Sequence, residues 1–79
     1  MATKGVMALI GQADIDKLLV RHASGDWGDM SQEDKEHNNQ SLILHKGQLF
    51  SSYNTPTGKV WIITEYDRTI TTVLLPNER

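Results

Sequence analysis

Apolar positions along the chain follow two periods, helical before Gly47 and strand-like after it. Ile15, Leu18, Leu19 and His22 stand at i, i+3, i+4 and i+7, the spacing of one helical face. Asp14 is the expected N-cap, since its carboxylate can accept from free backbone N–H groups. Arg21 and His22 suit the negative end of the helix dipole, and Gly25 stops the helix. A second helix is predicted from Ser31, where Ser31-Gln32-Glu33-Asp34 resembles a capping box with the shorter Asp in the acidic position. It should run to about His45 and end near Gly47. Its apolar residues, Leu42, Ile43 and Leu44, come late, so its first half is expected to face solvent.

Beyond Gly47 the β-branched and aromatic content rises, and Gln48–Tyr53, Lys59–Tyr66 and Thr69–Leu75 read as strands, with Pro76 ending the last. Asn54-Thr55-Pro56-Thr57-Gly58 and the shorter Asp67-Arg68 are turns. Links this short join antiparallel neighbours, because a parallel return needs a long crossover. Residues 1–13 read as an arm or short strand, with apolar Val6–Ile10 between Gly5 and Gly11. The predicted fold is α+β: one small domain of two N-terminal helices (14–47) packed on a three-stranded antiparallel β-meander (48–76). On the middle strand Trp61 and Ile63 point one way, and Val60, Ile62 and Thr64 the other. Helices on one side leave the other to the N-terminal arm or to a second copy of the chain, so a homo-oligomer is expected.

Composition narrows the chemistry. A chain of 79 residues has room for one domain, and with no cysteine it has no disulfide or thiolate-zinc site. No apolar run approaches the roughly 18 residues of a membrane span, and the first ten residues lack the long apolar core of a signal peptide. A cytoplasmic protein without membrane contact is expected. Ten acids against eight bases give a net charge of −2, without the basic excess of a nucleic-acid binder, so direct nucleic-acid binding is not expected. The acids are unevenly placed: Asp26, Asp29, Glu33, Asp34 and Glu36 fall within eleven residues that hold the single base Lys35. No cofactor is expected, since there is no Gly-x-Gly-x-x-Gly, P-loop, Gly-x-Ser-x-Gly or Cys-x-x-Cys motif.

Four constellations remain. His22, Asp26 and Asp29 have the side chains of a metal or general-base site, but their spacing matches no specific zinc pattern. The plainer role for Asp26 is to order the turn by bonding backbone N–H groups. Trp27, between two glycines, is a candidate interface anchor or a lid over a small core. Glu65, Asp67 and Arg68 form a second polar cluster, with Arg68 either clamping an anion or closing a hairpin ion pair. The acidic stretch 26–36 either meets a basic surface or simply solvates a helix.

The segments His22-Ala-Ser-Gly25-Asp26-Trp27-Gly28-Asp29 and Trp61-Ile-Ile-Thr-Glu65-Tyr-Asp67-Arg68-Thr-Ile-Thr71-Thr72-Val-Leu-Leu75-Pro76 together resemble a family of small bacterial proteins. Its members are labelled plasmid-related or hypothetical, and some carry a type I restriction enzyme subunit label. The resemblance covers about residues 17–76 and extends to the Glu33-Asp34 acids, Asn38 and the Leu49-to-Tyr53 strand. It implies a mobile-element setting and brings no established activity. The restriction-subunit label does not carry over, since 79 residues cannot hold a methyltransferase with its cofactor fold. The expected function is a non-enzymatic protein-binding module, most concretely a counter-defence inhibitor of restriction or CRISPR machinery. The partner would be a host nuclease or effector complex, and the binding residues Asp26, Trp27, Asp29, Glu33, Asp34, Glu36, Asp67 and Arg68. Two alternatives stand beside it: a metal-dependent hydrolase or nuclease built on His22, Asp26 and Asp29, and a nucleic-acid accessory protein using Arg21, Lys59 and Arg68.

Overall fold

The computed structural model describes residues 1–44 and 47–78. Helices α1 (Lys4–Leu9), α2 (Gln12–Ala23) and α3 (Gln32–Leu44) precede strands β1 (Leu49–Thr55), β2 (Gly58–Thr64) and β3 (Thr71–Leu74), and a 3-10 turn spans Pro76–Glu78. The fold is α+β, with three α-helices among the described residues rather than the expected two. Residues 6–9 are helical and not a strand, and Ile10 is the extended C-cap. Thr3 caps α1 by accepting from the Val6 N–H (3.3 Å), and Val6, Leu9 and Ile10 then share a face at i, i+3 and i+4. The N-cap of α2 is Gly11, three residues before the expected Asp14, which lies in the first turn instead. Ser31 starts α3 as predicted: its hydroxyl accepts from the Asp34 N–H at 3.1 Å. The predicted end at His45 lies outside the described residues.

The sheet order is β1-β2-β3, both pairs antiparallel, with Tyr53 opposite Val60, Ser51 opposite Ile62, and Ile62 opposite Val73. That register puts Tyr53, Val60, Ile62 and Val73 on one face, where they meet Val6, Ile10, Ile15 and Leu18 of α1 and α2 in a single core. The N-terminal segment therefore packs on the same face as α2, not on the opposite one. The opposite face carries an edge-to-face pair of Phe50 and Trp61, with centroids 5.0 Å apart. Ile63 and Leu74 beside it are only 6% and 7% exposed, so much of the apolar surface that suggested a homo-oligomer is covered within the chain.

Both edges of the sheet are occupied by backbone. At β3 the segment before α1 pairs in parallel: Thr3 N–H donates to Val73 O (3.0 Å) and Val73 N–H to Met1 O (2.7 Å). At β1 the loop between α2 and α3 does the same. Ser52 N–H donates to Trp27 O (3.1 Å) and Asp29 N–H to Ser52 O (2.6 Å). One residue pair further along β1, the Asn38 amide serves as a surrogate strand, donating to Phe50 O (2.7 Å) and accepting from Phe50 N–H (3.2 Å). Open edges invite pairing with other chains, and these contacts close the outward-facing groups of Phe50 and Ser52.

Candidate functional site

The Gly25–Asp29 turn is held by the residues that make it conspicuous in sequence. Gly25, at φ 86°, closes α2 in a Schellman pattern: Asp26 N–H donates to Arg21 O (2.9 Å) and Gly25 N–H to His22 O (3.3 Å). Asp26 accepts from the Gly28 N–H (3.2 Å) and from Arg21 Nε (2.7 Å). The Arg21 guanidinium holds the Asp26 carboxyl below its usual range. The Tyr53 hydroxyl donates to Asp26 O at 2.6 Å. Gly28, at φ 75°, lies so close to β1 that a Cβ would stand 2.2 Å from Ser52 O. Trp27 is 2% exposed, with its indole N–H donating to Asn39 Oδ1 (2.8 Å) and its ring edge-on to His22. The ring is a lid inside the protein, so a partner-facing role as an anchor is closed to it. Asp29 turns the other way, to Lys59 Nζ and Asn54 Nδ2, both at 3.2 Å. Those two contacts, Asn54 first, hold its carboxyl below the usual range.

His22, Asp26 and Asp29 therefore diverge. The imidazole is buried, with Nδ1 against Ser51 Oγ and Nε2 against Thr64 Oγ1 at 2.8 Å. Thr64 Oγ1 continues to Thr71 Oγ1 at 2.9 Å. A neutral imidazole suits such a site, donating from one nitrogen and accepting at the other. Burial, reinforced by the nearby Arg68 charge, lowers its pKa to about 4. Among the described residues no three His, Asp or Glu side chains are grouped to hold a metal ion.

Arg68, the one described non-glycine residue with positive φ (64°), turns its guanidinium inward. Nη2 donates to Ser41 O at 2.6 Å, and Nη1 is buried without a hydrogen-bond partner among the described residues. It ties the β2–β3 turn to α3 and presents no exterior clamp. Asp67 accepts from the N–H (3.1 Å) and hydroxyl (2.8 Å) of Thr69, the ordinary bonds of an Asx turn. Of the bases considered for nucleic acid, Arg21 and Lys59 pair with Asp26 and Asp29, and Arg68 is spent on Ser41.

Glu33, Asp34 and Glu36 behave differently. All three are exposed on the first turns of α3, and among the described residues no hydrogen bond or ion pair engages their carboxylates. At the far end of the same helix Leu42, Ile43 and Leu44 are exposed apolar residues. Sequence reasoning missed two features. One is the Ser51–His22–Thr64 relay, whose signal was His22 on the apolar face of α2. The other is a groove of about 510 Å³ between α2 and the β1–β2 turn. Its floor includes Leu9, Ile10 and Leu18, and its charged wall is Asp14, Lys17 and Arg21.

No protein-family model, curated protein or solved structure matches this chain. Among the described residues no helix is long and apolar enough to cross a membrane.

Proposed function

We propose that the chain is a non-enzymatic protein-binding module of a mobile genetic element that works in the cytoplasm as an inhibitor of host restriction or CRISPR machinery. One observation carries the binding part of this reading. The acids Glu33, Asp34 and Glu36 are exposed on one helix with no internal partner among the described residues, while Asp26, His22 and Arg68 are engaged in holding the fold. Unpaired acids on a rigid helix give a fixed negative surface complementary to the basic channels of nucleases and effector complexes. Glu33 and Glu36 stand three apart and so project from the same side. The mobile-element setting rests on the resemblance of the Gly-Asp-Trp-Gly-Asp and Trp61–Pro76 segments. A second copy of the chain is retained as a partner through exposed apolar residues such as Leu42, Ile43 and Leu44 at the end of α3, since Phe50, Ser52 and Val73 at the sheet edges are engaged within the chain.

The test is capture on the immobilised full chain from a bacterial extract rich in restriction and CRISPR complexes, at low and high salt. The proposal expects a defence nuclease or effector subunit to be retained at low salt and released at high salt. Retention of no such subunit removes it.

A further inference from the structure

We propose that the groove between α2 and the β1–β2 turn is a binding site for a small carboxylic acid with an apolar body, held at its head by Arg21 and Lys17. Arg21 is held in place on the groove wall. Its Nε is fixed by Asp26 at 2.7 Å, and its flat face lies 4.6 Å from the centre of the Tyr53 ring. These contacts hold the guanidinium in place and use one of its five donors. Among the described residues its two terminal nitrogens make no hydrogen bond, and the side chain is 45% exposed. A rigid guanidinium with its outer fork free is the geometry that takes a carboxylate through paired hydrogen bonds.

Lys17 precedes Arg21 by one helical turn, on the same groove wall, and makes no ion pair among the described residues. Asp14, the acid on that wall, is seven residues from Arg21, roughly 10 Å along the axis, and stands one turn from Lys17. Asp26 offsets part of the Arg21 charge but engages only Nε, which leaves the outer fork open to a ligand. Between the two ends the floor is apolar: Leu9, Ile10 and Leu18, with Pro56 across the groove. Gly11 adds nothing that closes it, since a Cβ there would meet no atom within 4 Å. The opposite wall is fixed to α1 by Thr57 Oγ1, which donates to Leu9 O at 3.3 Å. The volume of about 510 Å³ lies within the range of small-ligand sites. A head subsite of free guanidinium and ammonium donors followed by an apolar trough selects an anion with a hydrocarbon body over a neutral or cationic analogue. The groove lies apart from the exposed acids of α3, so this site and the protein-binding reading stand or fall separately.

The experiment is titration of the isotopically labelled full chain with octanoate, 1-octanol and octylamine, followed by backbone amide shifts. Octanoate should give saturable shifts at Leu9, Leu18, Thr55 and Thr57. Octanol, with the same chain and no carboxylate, should bind at least about tenfold more weakly, the scale of losing hydrogen bonds to charged groups. Lys17→Glu should weaken octanoate about tenfold, leave octanol unchanged and melt near the wild-type temperature, because Lys17 makes no ion pair among the described residues that its loss would break. Equal affinity for octanoate and octanol, an unaltered Lys17→Glu affinity, shifts centred outside the groove, or no shift at millimolar octanoate would each overturn the proposal.

Discussion

At Gly28 a side chain has no room. The φ of 75° disfavours any L-residue with a Cβ, and the Ser52 carbonyl occupies the place the Cβ would take. Gly28→Ala should therefore cost about 2 kcal/mol or more, read from urea denaturation, because left-handed strain and loss of the Trp27–Ser52 bridge act together. His22 makes a pH prediction with a definite sign. Its folded pKa is about 4 against 6.5 for the free side chain, so between those values the unfolded chain binds the extra proton. Stability is then full above pH 6.5 and falls as the pH drops toward 4, by about 3 kcal/mol in all. Asp26 and Asp29, whose pKa values are depressed from 3.8, lose their contribution at lower pH, which separates the two effects. Denaturation at pH 7, 5.5 and 4.5 should show the decline in the wild type and a nearly flat profile in His22→Gln. An equally steep profile in that variant would assign the decline to other groups.

At the scale of elements, β1 is the strand whose environment decides the most. Its outward groups at Phe50 are satisfied by a side-chain amide instead of another strand. Asn38→Ala should cost about 1–3 kcal/mol, since the part-buried Phe50 N–H and O both lose the amide that bonds them. Asn38→Asp should lose the donated bond to Phe50 O as well. Thermal melts of the two variants check this, and melting at the wild-type temperature would show that water replaces the amide. The three strands and their order were legible in the sequence because period and turn chemistry are local signals. The capping role of Ser31 and the turn-ordering role of Asp26 were legible for the same reason. The helix at Lys4–Leu9 was not. It is one and a half turns long, and it forms because Val6 and Ile10 find the sheet, which no local window reports. The edge contacts of Asn38 and Gly28 join residues 12 and 24 positions apart, beyond the reach of a pattern read along the chain.

For the molecule as a whole, conspicuous residues divide into those that hold the fold and those left outward. Trp27, Asp26, His22 and Arg68 belong to the first group, each with a named internal partner. Glu33, Asp34 and Glu36 belong to the second. A polar cluster in sequence does not show which group it will join, because that depends on the neighbours the fold supplies. Among the described residues the exposed acids make no hydrogen bond or ion pair, so their effect on stability is that of negative charge near the start of α3. Reversing Glu33 and Glu36 to Lys should therefore cost about 0.3–1 kcal/mol each and leave the chain folded. If these acids form the recognition surface, the same change should abolish salt-sensitive capture of a basic partner. The most direct measurement compares wild-type chain and the Glu33→Lys/Glu36→Lys variant, each melted and then immobilised in the same extract. The expected result is a fall in melting temperature of roughly 2–16 °C with the chain still folded, together with loss of the nuclease or effector subunit that the wild type retains. A folded variant that retains that subunit as well as the wild type does would contradict it.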